Sequence, residues 1–357
     1  AGAISTATHG SGRHSLSHYV QRLRVVQFNS AGDGVEARWI EDGAELRAAR
    51  CSLGAMGVVT EVVFSVVPQY RIQEQMVAAG SLTEVLHMEQ ETPLQQFFLI
   101  PHLWSFYVQR RCESTERGGR LTDELYRVYW FLVMDLGLHL IVLLTAVFLR
   151  SRSLVKLFYS KLLPWAIVSS WKPVDRSDRQ LVMEHELFRH IEEELFVRRR
   201  DLATALALVR DLLRVADDRS WRLSEESCNQ LRQVGLLGEV SEIEGQWSHH
   251  YPICVRRVRA DAAMISMSAG DGEDWYSISL ISYERSRPEF LRFAGFVGAA
   301  LIRLYGARPH WGKWFPEGEF RADLYSELPE FLSWVRRADP EGVFHRGFTG
   351  RVLGLSE

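Results

Sequence analysis

The four cysteines in 357 residues, Cys51, Cys112, Cys228 and Cys254, form no CxxC pair and follow no regular spacing. That pattern argues against a disulfide framework or a zinc site and points to a reducing compartment. Net charge is scarce as well. Lys plus Arg number 42 against 45 for Asp plus Glu, a formal charge of -3. A nucleic-acid binder needs a net basic face to collect phosphates, so that class drops out. The chain opens Ala1-Gly2-Ala3-Ile4, without an initiator methionine, a charged leader or a signal-type apolar core, which predicts that its natural N-terminus lies upstream. No internal repeat or low-complexity tract is found.

What is present is globular in composition: 46% hydrophobic and 24% charged, with 18 Phe, 11 Trp and 11 Tyr to bury. Strand patterning covers Val20 to Phe28 and Val35 to Ile40, with a turn at 29–34 between them. A short helix is expected over Ala44 to Cys51, then a β-branched run from Val58 to Val67 that Pro68 ends. A domain boundary is expected near 68–74. Beyond it come a helix at 81–89, strands at 96–100, 105–110, 184–197, 252–259 and 276–283, and amphipathic helices at 201–215 and 290–305. Asp201 is the expected N-cap of the first of these helices. Residues 217–250, polar and acidic, read as a long loop.

Val128 to Leu149 is almost wholly apolar, interrupted mainly by Asp135 and His139. As a helix it would span about 33 Å, enough to cross a bilayer. Arg150, Arg152 and Lys156 follow, then a weaker apolar stretch from Leu154 to Trp171. A buried core helix is the competing reading. If strands before and after this region share one sheet, a single crossing is impossible. The expectation is then a monotopic helical hairpin with Trp130, Trp165 and Trp171 at the membrane interface and the domains in the cytoplasm.

Three clusters can carry chemistry. Ser5-Thr6-Ala7-Thr8-His9-Gly10-Ser11-Gly12 offers small residues, hydroxyls and backbone N–H groups able to cradle a pyrophosphate or line a flavin, although it is neither a GxGxxG nor a P-loop. Gly54 and Gly57 ahead of Val58-Val59 permit a close backbone approach to a ligand, or merely a tight turn before a buried strand. Arg308-Pro309-His310-Trp311-Gly312-Lys313 presents an imidazole, an indole and an ammonium from one turn.

In this order the three clusters resemble the aldonolactone oxidases, of the L-gulonolactone and D-arabinono-1,4-lactone oxidase type, within the vanillyl-alcohol-oxidase flavoprotein superfamily. The likeness rests on Thr8 to Gly12 (THGSG), Leu53 to Pro68 (LGAMGVVTEV…VP), Arg308 to Lys313 (RPHWGK) and Asp339 to Phe344 (DPEGVF). It implies an α+β fold: the second subdomain of a PCMH-type FAD-binding domain (1–72), then a cap domain (73–345) with a large antiparallel sheet and flanking helices, the apolar hairpin 128–171 inserted in it, and a tail (346–357). The implied cofactor is FAD, contacted by Ser5, Thr6, Thr8, His9, Gly10, Ser11, Gly12, Gly54, Gly57, Val58, Val59 and Lys313, with no metal. His9 and His14 are not the covalently linked histidine found in many members, which belongs to the first flavin subdomain. That subdomain is expected upstream, and without it FAD binding and activity are expected to be lost.

The implied reaction is hydride transfer from the CH–OH group of a sugar-1,4-lactone or polyol, with O2, a quinone or a cytochrome as the electron acceptor. Where the family's cap strand carries a Glu and an Arg two residues apart, this chain has Cys254 and Arg256. The implied catalytic set is therefore Arg256, Lys313, His310 and Cys254. A neutral thiol is a weak acceptor; Arg256 and Arg257 are expected to draw Cys254 toward thiolate. The alternatives are a membrane-attached relic without catalysis, and a membrane FAD enzyme for a bulkier, lipid-like substrate.

Overall fold

In the computed structural model the described residues are all except 30–32, 183–186, 188, 271 and 356–357. Among them are eleven strands: β1 Val20–Phe28, β2 Val35–Ile40, β3 Val58–Phe64, β4 Arg71–Ala79, β5 Gln96–Leu99, β6 Phe106–Ser114, β7 Val174–Arg176, β8 His190–Arg198, β9 Ile253–Val258, β10 Trp275–Tyr283 and β11 Arg308–Pro309. They form a three-stranded sheet, β2-β1-β3, and an eight-stranded antiparallel sheet, β11-β8-β10-β9-β5-β6-β4-β7. Part of the 29–34 turn and part of the strand expected from 184 fall outside the described residues.

Strand alternation gives the large sheet two unlike faces. One face is apolar: Phe97, Leu99, Val108, Leu195, Val197, Val255, Tyr276, Ile278 and Leu280 meet helices Leu82–Glu91, Leu202–Asp217 and Arg287–Tyr305 in the main core. The last of these helices starts with Pro288 in its first turn and stops at Gly306, whose left-handed backbone (φ 59) closes the end. The opposite face is divided. At one end Phe196, Trp275 and Val258 pack into a second core with β1, helix Gly43–Arg50 and the C-terminal helices Leu328–Ala338 and Phe348–Leu353. At the other end Met76, Tyr107 and Tyr283 pack against the apolar hairpin. The polar residues of this face lie between the two.

Three elements differ from expectation. Residues 217–250 contain helix Glu225–Gln233, capped by Ser224, whose Oγ accepts from the Ser227 N–H; the Ser227 hydroxyl donates to buried Asp211 at 2.8 Å. This helix buries only Ser227 and Leu231, so its apolar periodicity is too thin to read. The expected tail contains helix Phe348–Leu353, with Val352 and Leu353 buried. The N-terminal core is therefore completed by the C-terminal end of the chain, which a linear division of the sequence does not show. Asp201 occupies the N-cap position of its helix but makes no side-chain capping bond.

The apolar stretch forms a hairpin whose first arm is Leu121–Phe148, with a second helical arm over 152–166. Strands on both sides of it share the large sheet, so a single membrane crossing is excluded. Leu138, Val142, Val155, Phe158, Tyr159 and Leu163 face the sheet. Leu121, Leu125, Val128, Leu132, Leu140, Leu144 and Phe148 form an exposed stripe along the first arm, joined by Leu154, Leu157, Leu162 and Trp165 of the second. The Tyr126 hydroxyl donates to Glu74 of β4 at 2.6 Å and fastens the first arm to the sheet.

This placement predicts opposite responses to one substitution. Leu212→Ala, in the main core, should cost about 2–5 kcal/mol, and Leu144→Ala on the stripe less than about 0.5 kcal/mol. Denaturant unfolding checks both; equal losses would mean the stripe is packed.

Candidate functional site

The polar band of the sheet is set by register. Gln109 of β6, Gln96 of β5, Arg256 of β9 and Ser277 of β10 stand opposite one another in one row. Cys254, Ser279 of β10 and Glu194 of β8 form the next. Arg256 Nε donates to Gln96 Oε1 at 3.0 Å, which leaves its terminal N–H groups for the cavity it lines. The hydroxyls of Ser277 and Ser279 are buried without a hydrogen-bond partner among the described residues.

Cys254 does not become a thiolate. Burial pushes its thiol above the ordinary value; Arg256 pulls against this, while Glu194 and Glu192 reinforce it. Arg257 offers no help, because alternation turns it to the other face, where its guanidinium lies 3.5 Å from Glu89. The position therefore presents a neutral sulfur, 3.9 Å from Gln96 Oε1.

The segment after β11 runs beside β8. His310 N–H donates to the Glu194 carbonyl at 2.9 Å and Trp314 N–H to the Glu192 carbonyl at 3.1 Å. Lys313 Nζ pairs with the Glu192 carboxylate. Trp311 is buried and donates from Nε1 to the Ile265 carbonyl at 2.6 Å. Arg308 lies between the Trp275 and Tyr325 rings at 4.4 and 4.6 Å and donates to the Leu324 and Ala269 carbonyls. Both are structural; His310 and Lys313 are the members of this cluster turned to the polar band.

His9, Glu194 and His310 converge, each with a possible ligand atom within 4.8 Å of the others. His9 faces the Gly10 carbonyl with Nδ1 at 2.9 Å and Glu194 with Nε2 at 3.2 Å. Both partners are acceptors. Burial opposes ionisation of Glu194, but the charge and hydrogen bond of His9, with His310 and Arg256 beyond, hold its carboxyl well below the usual range. His310 Nδ1 accepts from Gly312 N–H at 2.9 Å, which puts its ring proton on Nε2, the nitrogen a metal would require free. The tautomers thus describe a hydrogen-bonded cluster rather than a ligand set.

The glycine-rich loop has mixed roles. Ser11 donates to the Gln95 carbonyl. Gly12 (φ 73) donates to the Arg257 carbonyl at 2.7 Å, and a Cβ there would lie 1.8 Å from the Pro93 oxygen. Thr6 Oγ1 donates to Gly2 and lies beside Gly312, whereas Ser5 is buried and accepts from Leu53 N–H through its carbonyl. Thr8 is exposed, its backbone N–H bonded to the Ala3 carbonyl and its carbonyl to Leu16 N–H. His9, Gly10 and Ser11 join Arg256 in the lining of one cavity; Gly54, Gly57, Val58 and Val59 do not. Gly57 (φ 117) is explained by β1, since a Cβ would lie 2.4 Å from the Val26 carbonyl oxygen.

That cavity, about 530 Å³, reaches from His9, Gln96 and Arg256 past the Glu74–Arg111 pair to Trp130 and Phe131 of the hairpin and to Leu181 and Val182. Sequence reasoning missed Glu194, Gln96 and Gln109. The signal available was Glu192-Glu193-Glu194 inside an otherwise apolar strand, an expensive placement for carboxylates unless each has a use or a partner.

Burial pushes the His310 imidazole down to about 4, against the attraction of Glu194. The unfolded ring protonates near 6.5, so between these values the unfolded chain binds the additional proton and stability falls as pH drops. His310→Asn should flatten the pH dependence of unfolding across that window by about one proton, measured by denaturant titration. An unchanged slope would mean that His310 is not held neutral.

Comparison with known proteins places these features in context. The model of the family described as D-arabinono-1,4-lactone oxidase matches residues 62–352. The chain is 41% identical over 356 residues to a long-chain alcohol oxidase of an uncultured marine euryarchaeote, covering 99% of this chain and 74% of that protein. It is 26% identical to the L-gulonolactone oxidase of Scyliorhinus torazame, with 99% and 73% coverage. Among solved structures it is similar to cholesterol oxidase from B. sterolicum, at a TM-score of 0.66 and 13% identity over 98% of this chain and 74% of that one, a likeness of fold alone.

Proposed function

Since this chain belongs to the D-arabinono-1,4-lactone oxidase family, whose members are FAD-dependent oxidoreductases acting on sugar lactones, we propose that it oxidises the CH–OH group of a long-chain, amphiphilic alcohol. The observation that carries this reading is the cavity that joins Arg256 to Trp130 and Phe131 of the hairpin and to Leu181 and Val182, with Arg127 and Asp135 also in its lining. A sugar lactone gains little from Leu181 and Val182, whereas an alkyl chain gains by burying against them as well as against Trp130 and Phe131. Neutral Cys254, where the family carries a carboxylate, removes a strong acceptor for a second hydroxyl. The 41% identity to a long-chain alcohol oxidase supports the same reading. A sugar lactone is the second reading, favoured by the family match itself.

The buried hydroxyls of Ser277 and Ser279 without partners, beside the cationic groups of Arg256 and Lys313, suit a large polar cofactor on this face. Bound FAD supplies the two-electron acceptor for the hydride of the carbinol carbon. Loop 8–12 and Lys313 would hold it. Arg256 would bind the substrate oxygen through its guanidinium and stabilise the negative charge that develops there as the hydroxyl proton leaves to solvent. Gln96 holds that guanidinium in place, and the hairpin wall excludes water from the alkyl chain.

The exposed stripe of the hairpin supports docking into the bilayer interface, where such a substrate resides. A stripe of leucines with Trp165 at 88% exposure is costly in water and favourable at a lipid surface.

Anaerobic mixing of the full-length holoenzyme in detergent with 1-dodecanol should bleach the flavin, and L-gulono-1,4-lactone should do so far more slowly. The reverse order would establish the lactone reading, and bound flavin that stays oxidised with both would overturn the alcohol reading. Cys254→Glu should raise the rate on the lactone about tenfold or more, the worth of one charged hydrogen bond. No gain would mean that the missing carboxylate does not set the preference.

A further inference from the structure

A second cavity, about 300 Å³, lies at the tip of the hairpin, lined by Arg150, Ser151, Arg152, Ser248, Arg285 and Ser286 together with Ala146 and Val147. We propose that it binds the phosphate headgroup of an anionic phospholipid whose acyl chains lie along the hairpin. The inference rests on the reading of the hairpin as a bilayer-docking surface.

Three arginines line this cavity against one carboxylate, Glu289, among the described residues. Among the described residues, none of the three arginines has a carboxylate within 4.0 Å. Arg152 donates to the carbonyls of Asp217 at 2.9 Å and Gly245 at 2.7 Å, which orient it without cancelling its charge. Arg285 is exposed, with its guanidinium 5.7 Å from the centroid of the Phe148 ring. Arg150 stands exposed at the turn between the arms, in left-handed backbone (φ 47).

The neighbouring acids are mostly engaged elsewhere. Glu284 is held by Arg287 at 2.6 Å and Asp217 by Lys156 at 2.7 Å; Glu289, exposed, lines the cavity with the arginines. The Ser248 hydroxyl is buried with no partner among the described residues. The 19-residue helix Arg287–Tyr305 begins here, after Ser286, and adds the positive end of its dipole.

A free phosphate would satisfy the arginines alone. Apolar groups argue for the lipid: Ala146 and Val147 line the cavity, and Leu144, Phe148 and Leu149 are exposed beside it. Headgroup and acyl chains each have a surface to meet, and basic residues beside an interfacial helix add affinity for anionic leaflets.

The test is co-sedimentation of the full chain with vesicles of phosphatidylcholine alone or mixed with phosphatidylglycerol. The wild type should bind both and prefer the mixed vesicles. Arg150→Gln with Arg285→Gln should reduce that preference roughly thirtyfold while leaving binding to phosphatidylcholine in place. Among the described residues neither side chain carries a hydrogen bond of the fold, and Arg152 is left intact because it ties two loops. Leu140→Asp with Leu144→Asp should abolish binding to both vesicles.

Equal binding of the wild type to both vesicles, or an undiminished preference in the arginine variant, would overturn the headgroup site while the docking surface stands. Displacement by inorganic phosphate as effective as that by anionic vesicles would assign the cavity to a free anion and overturn the lipid. No binding to either vesicle would remove the docking reading and this inference with it.

Discussion

Everything in this structure hangs on strand β8 being buried on both faces while carrying three consecutive glutamates. From Ile191 to Val197 every residue is buried. Alternation sends Glu192 and Glu194 to the polar face and Glu193 to the helix face. The first two find partners, Lys313 and His9. Glu193 finds none among the described residues, and burial pushes its carboxyl well above the usual range; it lies against Gly298, where a Cβ would be 2.4 Å from its oxygen. A slip of one residue in β8 would exchange these fates, bury two charges in the apolar core and strand His9 and Lys313.

The same logic of desolvation sets the remaining charge states on the polar face. The Cys254 thiol, buried near Glu194 and Glu192, keeps its proton, and burial holds the His310 imidazole neutral. The floor of the cavity therefore combines a fixed guanidinium at Arg256, a neutral sulfur at Cys254 and carboxylates already engaged. Such a floor suits a single hydroxyl whose oxygen becomes negative, and a diol less well. Two apolar covers frame it, the N-terminal core on one side and the hairpin on the other, and the second supplies the wall against which a chain can lie.

Much of this was legible in the residues. The alternation in Val20–Phe28 and Val35–Ile40 predicts both strands to the residue, because the first buries Leu23, Val25 and Gln27 on one face and the turn between them is rich in Gly, Asn and Asp. The hairpin was legible from its length, its Arg-rich turn and its tryptophans. Its packing onto the sheet was not, because that depends on Met76 and Tyr283, which lie far away in sequence. Helix Glu225–Gln233 was hidden because a helix held by two buried residues and a Ser–Asp network leaves almost no apolar period, although Ser224 followed by Glu225 and Glu226 is an N-terminal signature. The site was half legible. Arg256, His310 and Lys313 stand in motifs; Glu194, Gln96 and Gln109 reach the site only through cross-strand register, which a single sequence does not display.

The central claim is that one cavity joins Arg256 to the hairpin and holds an alkyl chain along it. A long-chain primary alcohol bearing a diazirine at the far end of its chain, photolysed with the holoenzyme and mapped by mass spectrometry, tests this directly. The account predicts adducts on Trp130, Phe131, Leu181 or Val182 that disappear when excess unlabelled alcohol is added. Adducts confined to other surfaces, or adducts at these residues that L-gulono-1,4-lactone displaces and the alcohol does not, would contradict it.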